Sequence, residues 1–296
     1  MCDEIDLKNF ENRGVGRRQF ASLTAMTGIG ATLTACVGSS EAATGDRAGG
    51  SLVSSDVSIP TADGTMDAFF VHPASGKSPA VIIWPDIAGL RPSFRMMAER
   101  LAASGYAVLV ANPFYRHVKA PQFNDFADFQ AKGGFQQVGP WRAAADAPAI
   151  MRDTKSLVAW LDQQGAVDAK RGVGTQGYCM GGPFTVWSAA GVPNRVKAAA
   201  SFHGGGLVGD GDTAPINLFD DAKDTHYLIA IAQNDDAKAP DEKTKLRTAA
   251  DANGVEAEIE VYAGDHGWTV YDSPAYNEAA AEKAWSRLLA TYQKAL

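Results

Sequence analysis

The chain has 296 residues, 46% of them hydrophobic and 21% charged, enough for one globular unit of about 250 residues with an appendage. Its formal net charge of −7 excludes the basic footprint that nucleic-acid binding needs. Cys2, Cys36 and Cys179 are too few and too widely spaced for a disulfide framework or a zinc site. The histidines His72, His117, His203, His226 and His266 are scattered, so no metal and no cofactor is expected.

The first segment reads as an address. Arg17-Arg18-Gln19-Phe20 resembles the bacterial twin-arginine export signal. The uncharged stretch from Gln19 to Ala35 is shorter than the roughly 20 residues of a spanning helix. A basic pair, a short apolar region and small residues form a cleavable signal over 1–35. Leu33-Thr34-Ala35-Cys36 looks like a lipobox, which would make Cys36 the lipidated new N-terminus. A plain export signal cut later, near Ser40 to Ala43, is the alternative. Either predicts an exported, periplasmic or cell-envelope protein, with any membrane attachment through a lipid anchor alone. Residues 36–50 have linker composition, and residues 51–296 are expected to form the folded domain.

Within that domain, Ser51–Ile59 and Met66–Pro73 read as strands joined by a turn, and Ala80–Trp84 as a buried strand. A helix is predicted over Arg91–Gly105, then a strand over Tyr106–Asn112. The stretch from Arg116 to Pro140 has no clear period and is either a lid or pocket wall or an inert excursion. A long helical region, irregular at Pro148, is predicted over Trp141–Gly165. "RGVGTQGYC" runs from a strand into a turn and "GPFTVWSAAG" into a helix. Strands follow at Lys197–Gly204 and His226–Ala232, a helix at Asp241–Gly254 and a strand at Glu256–Tyr262. The last helix is predicted to open on a Ser273 cap with proline behind it. This alternation predicts an α/β fold with a mostly parallel, eight-stranded sheet and helices on both faces.

"GYCMGG" (177–182) has the outline of a nucleophile elbow, G-x-S-x-G, with sulfur in place of the hydroxyl. The acidic pair Asp235-Asp236 ends a later strand, and His266 follows the last one. Nucleophile, acid and base thus fall in the chain order of an α/β-hydrolase fold. Such a trio performs acyl transfer: the histidine takes the thiol proton and an acid fixes its tautomer. The N–H of Met180 and that of Ile87 are the candidate oxyanion donors. Against this stand plainer readings: a buried cysteine, a loop histidine, and aspartates serving strand ends. His203 either reaches the cleft or is structural, and Phe114, Tyr115, Trp141 and Trp268 either line a pocket or pack a core.

From about Asp56 to Leu296 the chain resembles the dienelactone hydrolase family of α/β-hydrolases. The resemblance rests on "GYCMGG", on Pro85–Arg116 and on "YAGDHGW" (262–268). It implies Cys179 as nucleophile, His266 as base and Asp236, four residues before Pro240, as acid, with Asp235 as the alternative. It implies an activating acid at Asp86, where the family usually carries a glutamate, and it finds Asn112 where an aspartate is common. Arg116 and Arg142 are the candidates for holding a substrate carboxylate, and Trp268 for lining the substrate site. The implied activity is hydrolysis of a small ester or lactone through an acyl-enzyme, by a protein expected to be a monomer. A non-catalytic binding or scaffold lipoprotein on the same fold is the competing reading. A redox thiol is the weaker third, because no resolving cysteine lies nearby in sequence.

Overall fold

The computed structural model describes residues 51–296. The signal at 1–35, Cys36 and the linker at 36–50 lie outside the described residues. Eight strands form one sheet: β1 Leu52–Thr61, β2 Gly64–Pro73, β3 Ala80–Trp84, β4 Ala107–Ala111, β5 Val173–Tyr178, β6 Val196–Phe202, β7 His226–Ala232 and β8 Ala257–Tyr262. Their spatial order is β1-β2-β4-β3-β5-β6-β7-β8. β1 and β2 run antiparallel, as do β2 and β4, and every pair from β4 onward is parallel.

The helices are α1 Pro92–Ala103, α2 Phe126–Ala131, α3 Gly134–Ala143, α4 Ala147–Leu161, α5 Gly181–Gly191, α6 Gln233–Lys238, α7 Glu242–Ala252 and α8 Glu278–Ala295. Alternate residues of one strand feed opposite cores, as the two-residue period requires. Ile82 and Trp84 pack with Ile150, Leu157 and Phe184 of α4 and α5. Val81 and Ile83 pack with Phe94 and Leu101 of α1 and with Leu288 and Tyr292 of α8. β3 therefore reads as an unbroken apolar run because both its faces are buried.

Three element boundaries differ from expectation. The helical region predicted over Trp141–Gly165 breaks between α3 and α4. Asp146 caps α4 by accepting the Ala149 N–H at 2.9 Å, and Pro148 sits in the first turn, where its missing N–H costs nothing. The final helix starts at Glu278, capped by Asn277 through the Ala280 N–H, and not at Ser273. Ser273 instead closes a local turn, its hydroxyl accepting the Ala275 N–H. The aperiodic stretch before Pro140 contains α2 and most of α3.

Candidate active site

The parallel register brings five strand ends together. The residues just past β3, β5, β6, β7 and β8 include Asp86, Cys179, His203, Asp235 and His266. Open α/β sheets bind ligands at this carboxyl edge.

The elbow is built by close backbone approach. Cys179 adopts φ 52°, a left-handed conformation rare for a residue with a side chain. Its N–H donates to the Phe202 carbonyl and its own carbonyl accepts the Gly182 N–H. A Cβ at position 177 would lie 1.9 Å from the Gly181 carbonyl oxygen, and one at 181 would lie 2.4 Å from that of Trp84. Only glycine fits at either position, so the sequence pattern follows directly from the turn. Met180 is the N-cap of α5, so its N–H belongs to the donors a helix start leaves without intrahelical partners. Ile87 lies between Asp86 and Ala88 in the neighbouring loop, and both Ile87 and Met180 share a core with Cys179. The loop is held by Asp86, whose side chain accepts the Ala88 N–H and whose carbonyl accepts that of Gly89.

Asp235, not Asp236, faces the imidazole. Asp235 Oδ2 lies 2.6 Å from His266 Nδ1, whereas Asp236 turns away and takes the Lys243 ammonium at 2.6 Å. Both stand in α6, where one residue is a rotation of about 100°, so only one of two adjacent carboxylates can aim at the ring. The His266 backbone N–H donates to the Asn234 side chain, fixing the loop. Cys179 interacts with the same imidazole. Burial alone would pull His266 down, but the Cys179 thiolate and the Asp235 carboxylate outweigh it and push it up to about 10. Cys179 and His266 are only 5% and 6% exposed.

A second histidine stands behind the first. His203 also has a left-handed backbone, with φ 40°. Its ring lies 4.8 Å from that of His266, and its Nε2 is 3.0 Å from Thr269 Oγ1. Burial, and then the charge of His266, holds it well below the usual histidine range. It is therefore neutral and cannot compete for the proton on His266. The sequence alone leaves its place open. The register pair Tyr178↔Phe202 explains its position, since the residues that follow that pair are Cys179 and His203. Trp268, expected in the substrate site, is fully buried, stacked on Tyr262 and edge-on to His203. It is a core side chain that backs the histidine.

The charge of Cys179 helps raise Asp86, but the Asp86 carboxylate is committed elsewhere. Arg91, wholly buried, grips both its oxygens at 2.7 and 2.9 Å. The same guanidinium grips Asp272 at 2.7 and 2.8 Å. Burial raises Asp86, and Arg91 partly offsets this. Asp272 is lowered despite its burial, through Arg91, Ser93 and the Phe126 N–H. No sequence pattern signals this trio, because Asp272 is 181 residues from Arg91. Removing a buried charge's partner is costly, so Arg91→Ala is expected to lower the unfolding free energy by about 3–5 kcal/mol. Urea melts compared with wild type measure it.

Arg116 is bound by Asp63 and Asp153, and Arg142 is exposed at the end of α3. The segment before Pro140 reaches the acidic network through Phe126, whose N–H donates to Asp272, and its Phe123, Phe126 and Phe129 are buried in the same core cluster as Cys179. Asn112 ties its base. It donates to Asp67 Oδ1 and the Val118 carbonyl and accepts from the Phe114 N–H and Gln122. An aspartate could not make the two donations.

The dienelactone hydrolase family model matches residues 66–296. The chain belongs to the dienelactone hydrolase family. Its relatives include a Salmonella typhi protein named "Putative carboxymethylenebutenolidase", 29% identical over 246 residues, covering 81% of this chain and 87% of the relative. The Rhodococcus opacus carboxymethylenebutenolidase is 28% identical over 139 residues, 46% of this chain and 48% of that one. Among solved structures, a Klebsiella pneumoniae protein titled "Putative Dienelactone Hydrolase" aligns with a TM-score of 0.68 and 25% identity, covering 82% of this chain and 99% of its own. The family's fold is thus the one observed here, a mostly parallel eight-stranded sheet flanked by helices.

Proposed function

We propose that the chain is a cysteine-dependent hydrolase of small esters or lactones, acting through Cys179, His266 and Asp235 by way of an acyl-enzyme. Family membership supports hydrolysis of ester or lactone bonds. The observation that carries the finer reading is one imidazole held by Asp235 and electrostatically coupled to a left-handed Cys179. A scaffold would need neither the strained cysteine nor the oriented histidine, so that alternative is not favoured.

His266 takes the proton of Cys179, and the thiolate attacks the substrate carbonyl carbon. The positive end of α5 helps hold the thiolate. Negative charge builds on the carbonyl oxygen, toward the N–H groups of Met180 and Ile87. Collapse expels the alcohol oxygen, which takes the proton from His266 and leaves a thioester. Neutral His266 then removes a proton from water. The hydroxide formed attacks the thioester, and the acid leaves as Cys179 is regenerated. Asp235 holds the ring through both halves and balances the imidazolium. Asp86 restrains the oxyanion loop, and its charge lies near the nucleophile. The partner is a small molecule and no cofactor takes part.

Iodoacetamide labelling of Cys179 against pH tests the reading. Its acid limb is expected well below the roughly 8.5 of a free thiol, because the imidazolium is stabilised beside it. Turnover is expected to hold through neutral pH and fall toward pH 10, where His266 gives up the proton the leaving group needs. Labelling with an ordinary thiol profile, unprotected by substrate-like inhibitors, would contradict it. We further propose export through residues 1–35 with a lipid anchor at Cys36, from Arg17-Arg18 and the Leu33–Cys36 motif. The intact mass of the mature protein tests it.

A further inference from the structure

We propose that the site accepts a neutral, apolar acyl group or lactone ring and discriminates against a substrate bearing a carboxylate. The proposal rests on the hydrolase reading above and names the substrate class it would serve.

An anionic substrate needs a cation with free donors, and the cation tied to this site has none. Arg91 carries five N–H donors, and five bonds account for them: Nε to Asp272, Nη1 to Asp86 and to the Gly89 carbonyl, Nη2 to Asp86 and to Asp272. Two carboxylates therefore share one guanidinium. A substrate carboxylate could reach Arg91 only by displacing one of them inside a buried site. Asp235 adds a further acid, matched only by His266, which is itself matched to the thiolate. The site thus offers an incoming carboxylate acidic oxygens, and every donor of Arg91 is already taken.

The aromatic residues beside Arg91 point the same way. Phe126 is tied into the network by its backbone, its N–H donating to Asp272 Oδ2 at 3.1 Å. Its ring lies beside the Arg91 guanidinium, 5.8 Å from centroid to carbon. Phe126 packs on Phe129, which meets Phe123 edge-on, and all three share the core of Cys179, Met180 and Ile87. A group that reaches Asp86 and Arg91 from the side of Phe126 meets an aromatic ring and acidic oxygens. Apolar and aromatic acyl groups suit that lining.

Two rigid, size-matched esters test it: para-nitrophenyl para-toluate, and the para-nitrophenyl monoester of terephthalic acid, with a carboxylate in place of the methyl. Wild type is expected to favour the toluate in kcat/KM by on the order of tenfold or more after background correction. Asp272→Asn removes one of the two acids on Arg91 and is expected to narrow that ratio by at least about threefold. Because the ratio is internal to each preparation, partial loss of folded protein does not alter it. Equal rates on the two esters, preference for the carboxylated one, or an unchanged ratio in Asp272→Asn would overturn the proposal. If neither ester turned over, the hydrolase reading would be in question. Selectivity would then be read separately, from which of the two corresponding methyl esters protects wild-type Cys179 from iodoacetamide. Stronger protection by the neutral one is expected, and equal or reversed protection would overturn the proposal.

Discussion

Cys179→Ala is expected to abolish turnover of activated esters and lactones, by on the order of 10⁴-fold or more in kcat. Without the sulfur no acyl-enzyme forms, and the oxyanion donors alone give little rate. The substitution is small and lies at a turn fixed by Gly177 and Gly181, so the fold should persist with an unchanged circular dichroism spectrum. Steady-state assays over an ester and lactone panel check this. Activity that survives in a folded Cys179→Ala protein would remove the cysteine from the mechanism.

The second large effect separates two adjacent acids. Asp235→Asn is expected to lower kcat by on the order of 10³- to 10⁴-fold, since the amide neither balances the imidazolium nor enforces the tautomer. The same variant should move the acid limb of Cys179 labelling upward, because the imidazolium that supports the thiolate loses its counter-charge. Asp236→Asn should stay within about threefold of wild type, because its partner is Lys243 on a part-exposed surface, where an ion pair is worth little. Kinetics on the two purified variants decide the matter, and the reverse pattern would reassign the acid.

That choice marks where the sequence stopped being legible. The buried strands announce themselves as short apolar runs, and the elbow glycines are visible because the turn admits no other residue. The order of cysteine, acidic pair and terminal histidine could likewise be read along the chain. The facing of Asp235 could not, since it depends on how α6 leaves β7. Nor could the trio of Asp86, Arg91 and Asp272, whose members meet only after the loop following β8 folds back on the start of α1. Ser273 and its proline imitate a helix start, but they belong to that same returning loop, which carries Asp272 to Arg91. The partners of Arg116, Asp63 and Asp153, are likewise invisible in the sequence, because the β1–β2 turn and α4 bring them together. The stretch before Pro140 lacks one helical period because it holds two short helices, α2 and α3, and their connections.

The central claim is that Cys179 carries the acyl group. Peptide mapping of protein quenched in acid during turnover of a slow activated ester tests it most directly. The predicted result is an acyl mass on the Cys179 peptide, absent from Cys179→Ala, with Cys179 shielded from iodoacetamide while substrate remains. An acyl group on any other residue, or turnover with Cys179 labelling at its full rate throughout, would contradict it.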